Sequence, residues 1–237
     1  MEEKEIYIKI TKNGPYLVYG IKKITLKYIL CDENGYAVKY KNGTTFEIKM
    51  EPQALCRCGK SKDAPYCDGM HVKMFFDGTL NAPLEPILKN AKTYIGPNLI
   101  LKDNEKYCAS ARFCDKNCGI WDFIMESDNK IKKELAIEEA NACPAGRLII
   151  FDKNGQSYEA NLNKSLELLE DNWLKISGPI WVKGGIRIEN EDGLSYEIRN
   201  RQTICRCGAS KNKPFCDGSH VKNKFKAEYK NIKKEGI

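Results

Sequence analysis

The sequence lacks any apolar stretch long enough to cross a membrane. No run of about eighteen apolar residues occurs in the chain, and its first ten residues, MEEKEIYIKI, are acidic where a secretory signal would be basic and then apolar. We therefore expect a cytoplasmic protein that does not bind membranes. Hydrophobic residues make up 42% of the 237 positions, which suits several small cores better than one large core.

Familiar catalytic signatures are also missing. The sequence contains no glycine-rich phosphate-binding loop and no G-x-S-x-G segment. Its only two histidines, His71 and His220, both lie in cysteine-rich segments, so no histidine is left to act as a general base. We therefore expect that the protein is not an enzyme and that its chemistry belongs to bound cofactors.

Positive charge is present but dispersed. The 39 basic and 32 acidic residues give a formal charge of +7 and alternate along the chain, without a basic stripe that is interleaved with aromatic residues. This pattern predicts no nucleic-acid partner. A solvated surface that partly offsets negatively charged metal–thiolate centres explains the excess.

Cysteine, by contrast, is abundant, with eleven residues. In a reducing compartment they stay reduced, and their tight local clustering favours metal ligation over a disulfide framework. Three lie in each of two similar segments and four lie between these segments. Cys31 stands alone in the apolar segment KYILC, where we expect a small core side chain.

Two cysteine-rich segments repeat at a constant offset. CRCGKSKDAPYCDGMH begins at Cys56 and CRCGASKNKPFCDGSH begins at Cys205, so both follow the pattern C-x-C-x8-C-x3-H. Thiolates bind soft cations, and imidazole suits iron, zinc and copper, so each segment predicts a metal site. Asp68 and Asp217 precede the histidines as predicted helix N-caps, which would place each histidine on the first turn of a short helix.

The repeat extends beyond the cysteines into predicted strands. GPYLVYGIKKI at residues 14–24 resembles GPIWVKGGIRI at 178–188. Asn42-Gly43 and Asp192-Gly193 separate alternating segments and predict hairpin turns, and Asn34-Gly35 predicts an extra hairpin in the first half. Each half therefore reads as strands that lead into a metal loop.

The repeated segment resembles the CDGSH iron–sulfur proteins, the mitoNEET-like family, through the motif CRCGxSxxxPxCDGSH. The resemblance implies that the three cysteines and the histidine of each copy bind a [2Fe–2S] cluster. The implied ligands are Cys56, Cys58, Cys67 and His71 in the first copy and Cys205, Cys207, Cys216 and His220 in the second. The first copy departs from the motif at Met70, where the family has serine or another small residue. A zinc site of the Cys3His type is the alternative.

The family's usual form is a homodimer with one motif in each chain. Two motifs in one chain therefore imply an internal pair, that is, a monomeric pseudo-dimer in which a third unit is inserted between the halves. We expect an α+β fold that is mostly β, with two small β-rich CDGSH units and a ferredoxin-like α+β insert.

The insert has its own cysteine pattern. Cys108 and Cys114 form C-x5-C, and Cys143 precedes Pro144 in CPAGRL, which resembles the CPSGAL segment of single-cluster ferredoxins. This arrangement resembles that of [3Fe–4S] ferredoxins and of a divergent mono-cluster ferredoxin domain found fused to CDGSH motifs, and it implies one [3Fe–4S] or [4Fe–4S] cluster. Cys118 is either a fourth iron ligand or a spare thiol, and zinc or an empty cysteine cluster is again the alternative.

Two helices are predicted around the insert. Ile131 and Leu135 stand four residues apart behind a Ser127/Asp128 cap, in a helix that stops at Pro144 and so delivers Cys143. A second short helix over residues 164–173 would link the insert to the last unit.

Together these patterns predict an N-terminal CDGSH-type domain over residues 1–78, a connector over 79–92, a ferredoxin-like domain over 93–163 and a C-terminal CDGSH-type domain over 164–237. The predicted function is one-electron transfer by a multi-cluster iron–sulfur protein, with a redox partner protein. A redox sensor, or a protein that transfers clusters to an acceptor, is one alternative. A zinc-binding interaction module is the other.

Overall fold

Residues 5–116 and 119–230 are described by the computed structural model of the protein. Strands dominate the described chain. In the first half they are β1 (Tyr7–Ile10), β2 (Tyr16–Tyr19), β3 (Lys23–Cys31), β4 (Ala37–Glu47) and β5 (Gln53–Leu55), followed by helix α1 (Met70–Lys73). In the second half they are β9 (Ser165–Asp171), β10 (Ile176–Lys183), β11 (Arg187–Glu189) and β12 (Arg201–Ile204), followed by helix α4 (Ser219–Lys222).

The middle of the chain forms a separate α+β unit. It contains β6 (Lys92–Ile95), β7 (Ile100–Asp103), α2 (Ile120–Met125), α3 (Lys130–Ala142) and β8 (Leu148–Phe151). The three strands form an antiparallel sheet in the order β6-β7-β8, and α2 and α3 pack on it. The predicted connector contains a 3-10 turn at Ile87–Asn90. The α+β, mostly β fold class is therefore confirmed.

The two halves exchange strands. β11 of the second half pairs in parallel with β1, giving the sheet β11-β1-β2-β5, and β3 of the first half pairs in parallel with β9, giving the sheet β12-β10-β9-β3-β4. The sequence repeat makes β3 and β11 equivalent, so the two parallel pairings are reciprocal between the halves. Residues 1–78 and 164–237 thus contribute strands to both sheets.

Alternating burial explains why the short strands take these positions. In β1, Ile8 and Ile10 are buried while Tyr7 and Lys9 are partly exposed, because successive side chains of a strand point to opposite faces. β10 lies between β9 and β12 and is buried along nearly its whole length. One continuous hydrophobic core joins side chains from both sheets.

The predicted hairpins are partly confirmed. The extra hairpin forms between β3 and β4, where Gly35 has φ 84° and donates its N–H to the Asp32 carbonyl. A turn also forms at Asp192-Gly193, where the N–H of Gly193 donates to the Asn190 carbonyl. The prediction at Asn42-Gly43 is wrong, because these residues lie inside β4 at an irregularity in its pairing with β3.

The helix predicted over residues 164–173 is wrong as well. This segment forms β9, and its Leu166, Leu168 and Leu169 are buried between neighbouring strands. Leucine and glutamate favour helices locally, but pairing with β3 and β10 on both sides decides the conformation of this segment.

The predicted helix before Cys143 is confirmed as α3, with a different cap. The side chain of Asn129 accepts the N–H groups of Ile131 and Lys132, whereas the Ser127 hydroxyl accepts those of Asn98 and Leu99. Ile131 is 68% exposed and so contributes little to the core. In the described part of the chain, no helix is long and apolar enough to span a membrane.

Candidate metal centres

The first cysteine-rich loop brings its predicted ligands together in two pairs. The Sγ atoms of Cys56 and Cys58 lie 3.8 Å apart, and Cys67 Sγ lies 3.3 Å from Nδ1 of His71. β5 ends just before Cys56, and His71 is the second residue of α1. A strand end and a helix start therefore present the two pairs.

The second loop repeats this arrangement. Cys205 Sγ and Cys207 Sγ lie 3.7 Å apart, and Cys216 Sγ lies 3.4 Å from Nδ1 of His220. β12 ends at the residue before Cys205, and His220 is the second residue of α4. The prediction that each histidine lies on the first turn of a helix is confirmed.

The other shared residues of the motif hold the loops in shape. The Ser61 hydroxyl donates to the Tyr66 carbonyl and accepts the N–H of Asp63, and Ser210 makes the same contacts in the second loop. The carboxylate of Asp68 accepts the N–H groups of Lys62 and Met70. Asp217 accepts the equivalent donors.

Asp68 and Asp217 are therefore not the N-caps that the sequence predicted. Gly69 and Gly218 occupy those positions with φ of 85° and 82°, a left-handed conformation that favours glycine. Desolvation alone would raise the pKa of Asp68, but the N–H donors of Lys62 and Met70 hold it below its usual value. Each aspartate thus stands one residue before the N-cap and accepts the N–H of the first helical residue, Met70 or Ser219.

One thiol of each cysteine pair deprotonates easily. A hydrogen bond from Cys58 lowers the pKa of Cys56 to about 6, against the effect of burial, and Cys207 lowers that of Cys205 to about 7 in the same way. The donating thiols of Cys58 and Cys207 have raised pKa values because of this hydrogen bond and burial. Since thiolate is the form that binds metals, the shared hydrogen bond favours one metal-binding thiolate in each pair.

A buried arginine backs each loop. Arg57 donates to the carbonyls of Gly14, Gly78 and Thr11. Arg206 likewise donates to backbone carbonyls, those of Gly178 and Leu169, and also forms an ion pair with Glu170. Both arginines are buried and fix the loops, and the charge of Arg206 also acts on His220.

The two loops differ in exposure. His71 is half-buried, whereas His220 is only 5% exposed. Burial first, and then the charge of Arg206, lower the pKa of His220 to about 4, so this imidazole is neutral and able to bind metal at neutral pH. Beyond His71 lie the exposed side chains of Met74 and Phe75, the latter 94% exposed.

The middle unit contains a cavity of about 250 Å³ lined by its predicted ligands. Cys108 follows a 3-10 turn, Cys114 precedes α2, and Cys143 ends α3. The lining also includes the guanidinium-bearing residues Arg112 and Arg147. Three thiols therefore surround one space, which is lined by the loop over residues 108–115 and by the residues that follow α3.

Buried charge lies against this cavity. Arg147 forms an ion pair with Asp103, and its Nη2 lies 3.9 Å from Cys114 Sγ. Burial raises the pKa of Asp103 and also raises that of Cys114 beyond the normal thiol range. Sequence reasoning missed both Arg147 and Asp103, because neither stands in a ligand spacing.

Cys31 and Cys118 are the two cysteines outside the three predicted ligand sets. Cys118 lies outside the described residues. Cys31 is half-buried at the end of β3 and packs beside a small apolar cluster, and its sulfur accepts a hydrogen bond from Arg112.

The three predicted centres are neighbours. A β-carbon at Gly59 would lie 2.6 Å from the Cys207 carbonyl oxygen, and one at Gly208 would lie 2.6 Å from that of Cys58, so the two loops touch through equivalent residues. A β-carbon at Gly218 would lie 3.3 Å from the Cys108 carbonyl oxygen. The second loop therefore touches both the first loop and the middle unit.

Side chains of one unit also bind the backbone of the next. The Tyr16 hydroxyl, from the first half, donates to the Cys205 carbonyl at 2.8 Å. Arg201 of β12 donates to the Cys143 carbonyl at 2.8 Å, and Arg199 donates to that of Ala145 at 3.1 Å. The ligand loops are thus fixed relative to one another by direct contacts.

Each of the two loops presents its predicted donors as two pairs. Among residues 5–116 and 119–230, no group of three or more His, Cys, Asp or Glu side chains converges closely enough to hold one metal ion. Two pairs of ligands in each loop suit a group that spans two metal atoms, and thiol sulfur is the donor that iron–sulfur clusters require.

Comparisons with known proteins agree with this chemistry. Residues 13–72 and 177–221 match the family model described as the iron-binding zinc finger of CDGSH type. Residues 94–153 match the model described as a divergent 4Fe-4S mono-cluster. No curated protein and no solved structure matches the chain.

Proposed function

We propose that this iron–sulfur protein carries single electrons. It is an iron–sulfur protein because two CDGSH-type iron-binding regions lie on either side of a divergent 4Fe-4S mono-cluster domain. The two CDGSH regions would each hold one [2Fe–2S] cluster, and the middle unit would hold one [3Fe–4S] or [4Fe–4S] cluster. The clusters would supply the redox chemistry, and the protein side chains would bind them and adjust their properties.

The paired ligands are the observation that supports the [2Fe–2S] assignment. Each iron of such a cluster takes two protein ligands, and one iron can take histidine in place of cysteine. Cys56 with Cys58, and Cys67 with His71, form two such pairs. A structural zinc ion would instead need four ligands that converge on one point. The zinc-bound module is therefore the weaker candidate.

The middle centre rests on three thiols around one cavity. Cys108, Cys114 and Cys143 would supply three ligands, which suffice for [3Fe–4S]. A [4Fe–4S] cluster would need a fourth ligand, and Cys118 is the candidate that the sequence offers.

Contact between the three loops supports electron transfer as the role. The second loop touches both others, so the cofactors would lie side by side within one protein. We propose that the protein works as a monomer, exchanges electrons with a redox partner protein, and has no catalytic side chains of its own. Cluster donation to an acceptor is the second candidate, which the partial exposure of His71 favours.

The test is the metal content and the spectrum of the anaerobically purified protein. We expect about seven or eight iron atoms per chain, a matching amount of acid-labile sulfide, and paramagnetic resonance signals of two kinds after reduction. The variant Cys216→Ala should lose about two of these iron atoms. Stoichiometric zinc with little iron would contradict the proposal.

A separate measurement distinguishes the two roles. An electron carrier should pass through repeated reduction and oxidation with its iron content unchanged, and a cluster donor should lose iron to an apo-ferredoxin in the same buffer. Rapid loss of iron to the acceptor without stable redox cycling would favour cluster donation.

A further inference from the structure

Arg147 is a buried cation beside the thiols of the middle unit. Its side chain is 5% exposed and lines the cavity together with Cys108, Cys114 and Cys143. One guanidinium nitrogen, Nη2, lies 3.9 Å from Cys114 Sγ. No predicted ligand role accounts for this residue.

An ion pair with Asp103 fixes the position of the Arg147 guanidinium. Its Nη1 pairs with Asp103, which is completely buried, and the other carboxylate oxygen of Asp103 accepts the Trp121 indole N–H at 3.3 Å. Asp103 ends β7 and pairs in register with Leu148 of β8, the residue after Arg147. The sheet therefore holds the guanidinium between the carboxylate and the thiol.

A fixed positive charge favours the more negative of two redox states. Reduction adds one negative charge to a cluster, and a buried guanidinium that donates toward a ligand sulfur stabilises this charge more strongly than a solvated one would. Hydrogen bonds to the sulfurs and net charge are among the factors that set cluster potentials. Removing the cation should therefore make the cluster harder to reduce.

We propose that Arg147, held by Asp103, raises the reduction potential of the middle centre. This inference rests on the proposed function, because it requires a cluster bound by Cys108, Cys114 and Cys143. It assigns Arg147 a positioning and tuning role and not that of a ligand.

The other charged residues of the cavity provide the control. Arg112 also lines it, but its guanidinium pairs with Asp171, donates to Cys31 and is partly exposed. Asp115 is exposed and accepts a hydrogen bond from Cys114. Arg112→Gln should therefore shift the potential much less than a change at Arg147.

The experiment is a redox titration of the middle centre in the full chain, followed by paramagnetic resonance. Arg147→Gln alone would leave Asp103 buried without a partner, which threatens folding. The decisive variant is therefore Arg147→Gln combined with Asp103→Asn, which removes both charges. We expect its potential to be more negative than that of the parent, with unchanged iron content.

Two further variants give opposite expectations. Asp103→Asn alone keeps the cation without its counter-ion, so we expect a more positive potential. Arg147→Lys keeps the charge, so we expect a potential closer to the parent than to the double variant.

Unchanged potentials in the double variant and in Asp103→Asn, with full iron content, would overturn this inference and leave the proposed function intact. A parent protein that lacks the middle cluster would instead contradict the proposed function, and this inference with it.

Discussion

His71 and His220 have the same place in the sequence repeat but different surroundings. His220 is enclosed and lies near Arg206, whereas His71 is partly exposed at the start of α1. A histidine nitrogen binds either a proton or a metal, so acid competes for this ligand. We therefore expect the exposure of the histidine to decide which site loses its cluster first in acid.

We predict that acid releases the cluster of the first site before that of the second. Protonating His220 requires placing a second positive charge in a buried space near Arg206, and its lowered pKa of about 4 expresses this cost. At about pH 5.5 we expect loss at the first site to be about tenfold faster. The measurement is the bleaching of visible absorbance in Cys216→Ala and Cys67→Ala, which each retain one of the two sites.

His71→Cys is the matched control, because a thiolate would replace the competing imidazole. It should slow acid loss at the first site only. Equal rates for the two single-site variants would show that exposure of the histidine is not what limits release.

The proximity of the candidate ligands could be predicted from the sequence because their spacing repeats, and chance rarely preserves such a pattern twice. The structure brings all eight predicted CDGSH ligands into pairs and places Cys108, Cys114 and Cys143 around one cavity. Arg147 and Asp103 could not be found in this way. Their relation depends on the pairing of β7 with β8, which brings together residues 44 positions apart.

At the level of elements, α3 contains a buried acid. Glu139 is 7% exposed, and its Oε2 has no hydrogen-bond partner among the residues that the structure describes. Burial raises its pKa to about 8, helped by Asp115 and Glu138 and opposed by Lys116. The folded protein therefore prefers the protonated acid.

This preference has a defined effect on stability. The folded state keeps the proton of Glu139 more tightly than the unfolded chain does, so stability falls as pH rises from about 4.5 to about 8. We predict that Glu139→Gln is more stable than the parent at about pH 9 by about 1–2 kcal/mol, and equally stable at about pH 4. Thermal unfolding at both pH values checks this, with the exposed Glu138→Gln as control. A constant difference across pH would count against burial of the charge as the cause.

Elements were predictable where local chemistry decides them. Gly35 and Gly193 sit in turns that need left-handed backbone, and both hairpin predictions hold. At Gly43 a β-carbon would lie 2.4 Å from the Tyr28 ring, so this glycine accommodates a neighbouring side chain inside β4 rather than a turn. The strand β9 could not be predicted because pairing with β3 and β10 determines its conformation. The local sequence of residues 164–173 contains no information about these partners.

At the scale of the whole molecule, neither half has a complete sheet of its own. β9 lies between β10 and β3, and β3 comes from the first half. Without β3, one edge of β9 would be bare, and buried residues such as Leu166 and Leu168 would lose part of their cover.

We predict that residues 164–237 expressed alone do not hold a stable cluster. Co-expression with residues 1–163 should restore it, because the missing strand and the Tyr16 contact to Cys205 return with that fragment. Iron content and visible spectra of the separate and combined fragments provide the measurement. A second half that binds its full iron alone would show that the exchanged strand is dispensable.

The exchange of β3 and β11 also bears on how such a molecule can evolve. In a pair of identical chains, every mutation is inherited by both partners at once. Here each copy has its own stretch of sequence, so a mutation alters one site and spares its counterpart. Met70 and Phe75 of the first copy correspond to Ser219 and Lys224 of the second, with nearly the same backbone conformation at Phe75 and Lys224. The joined strands preserve the paired architecture, while the two predicted cluster sites are free to specialise separately.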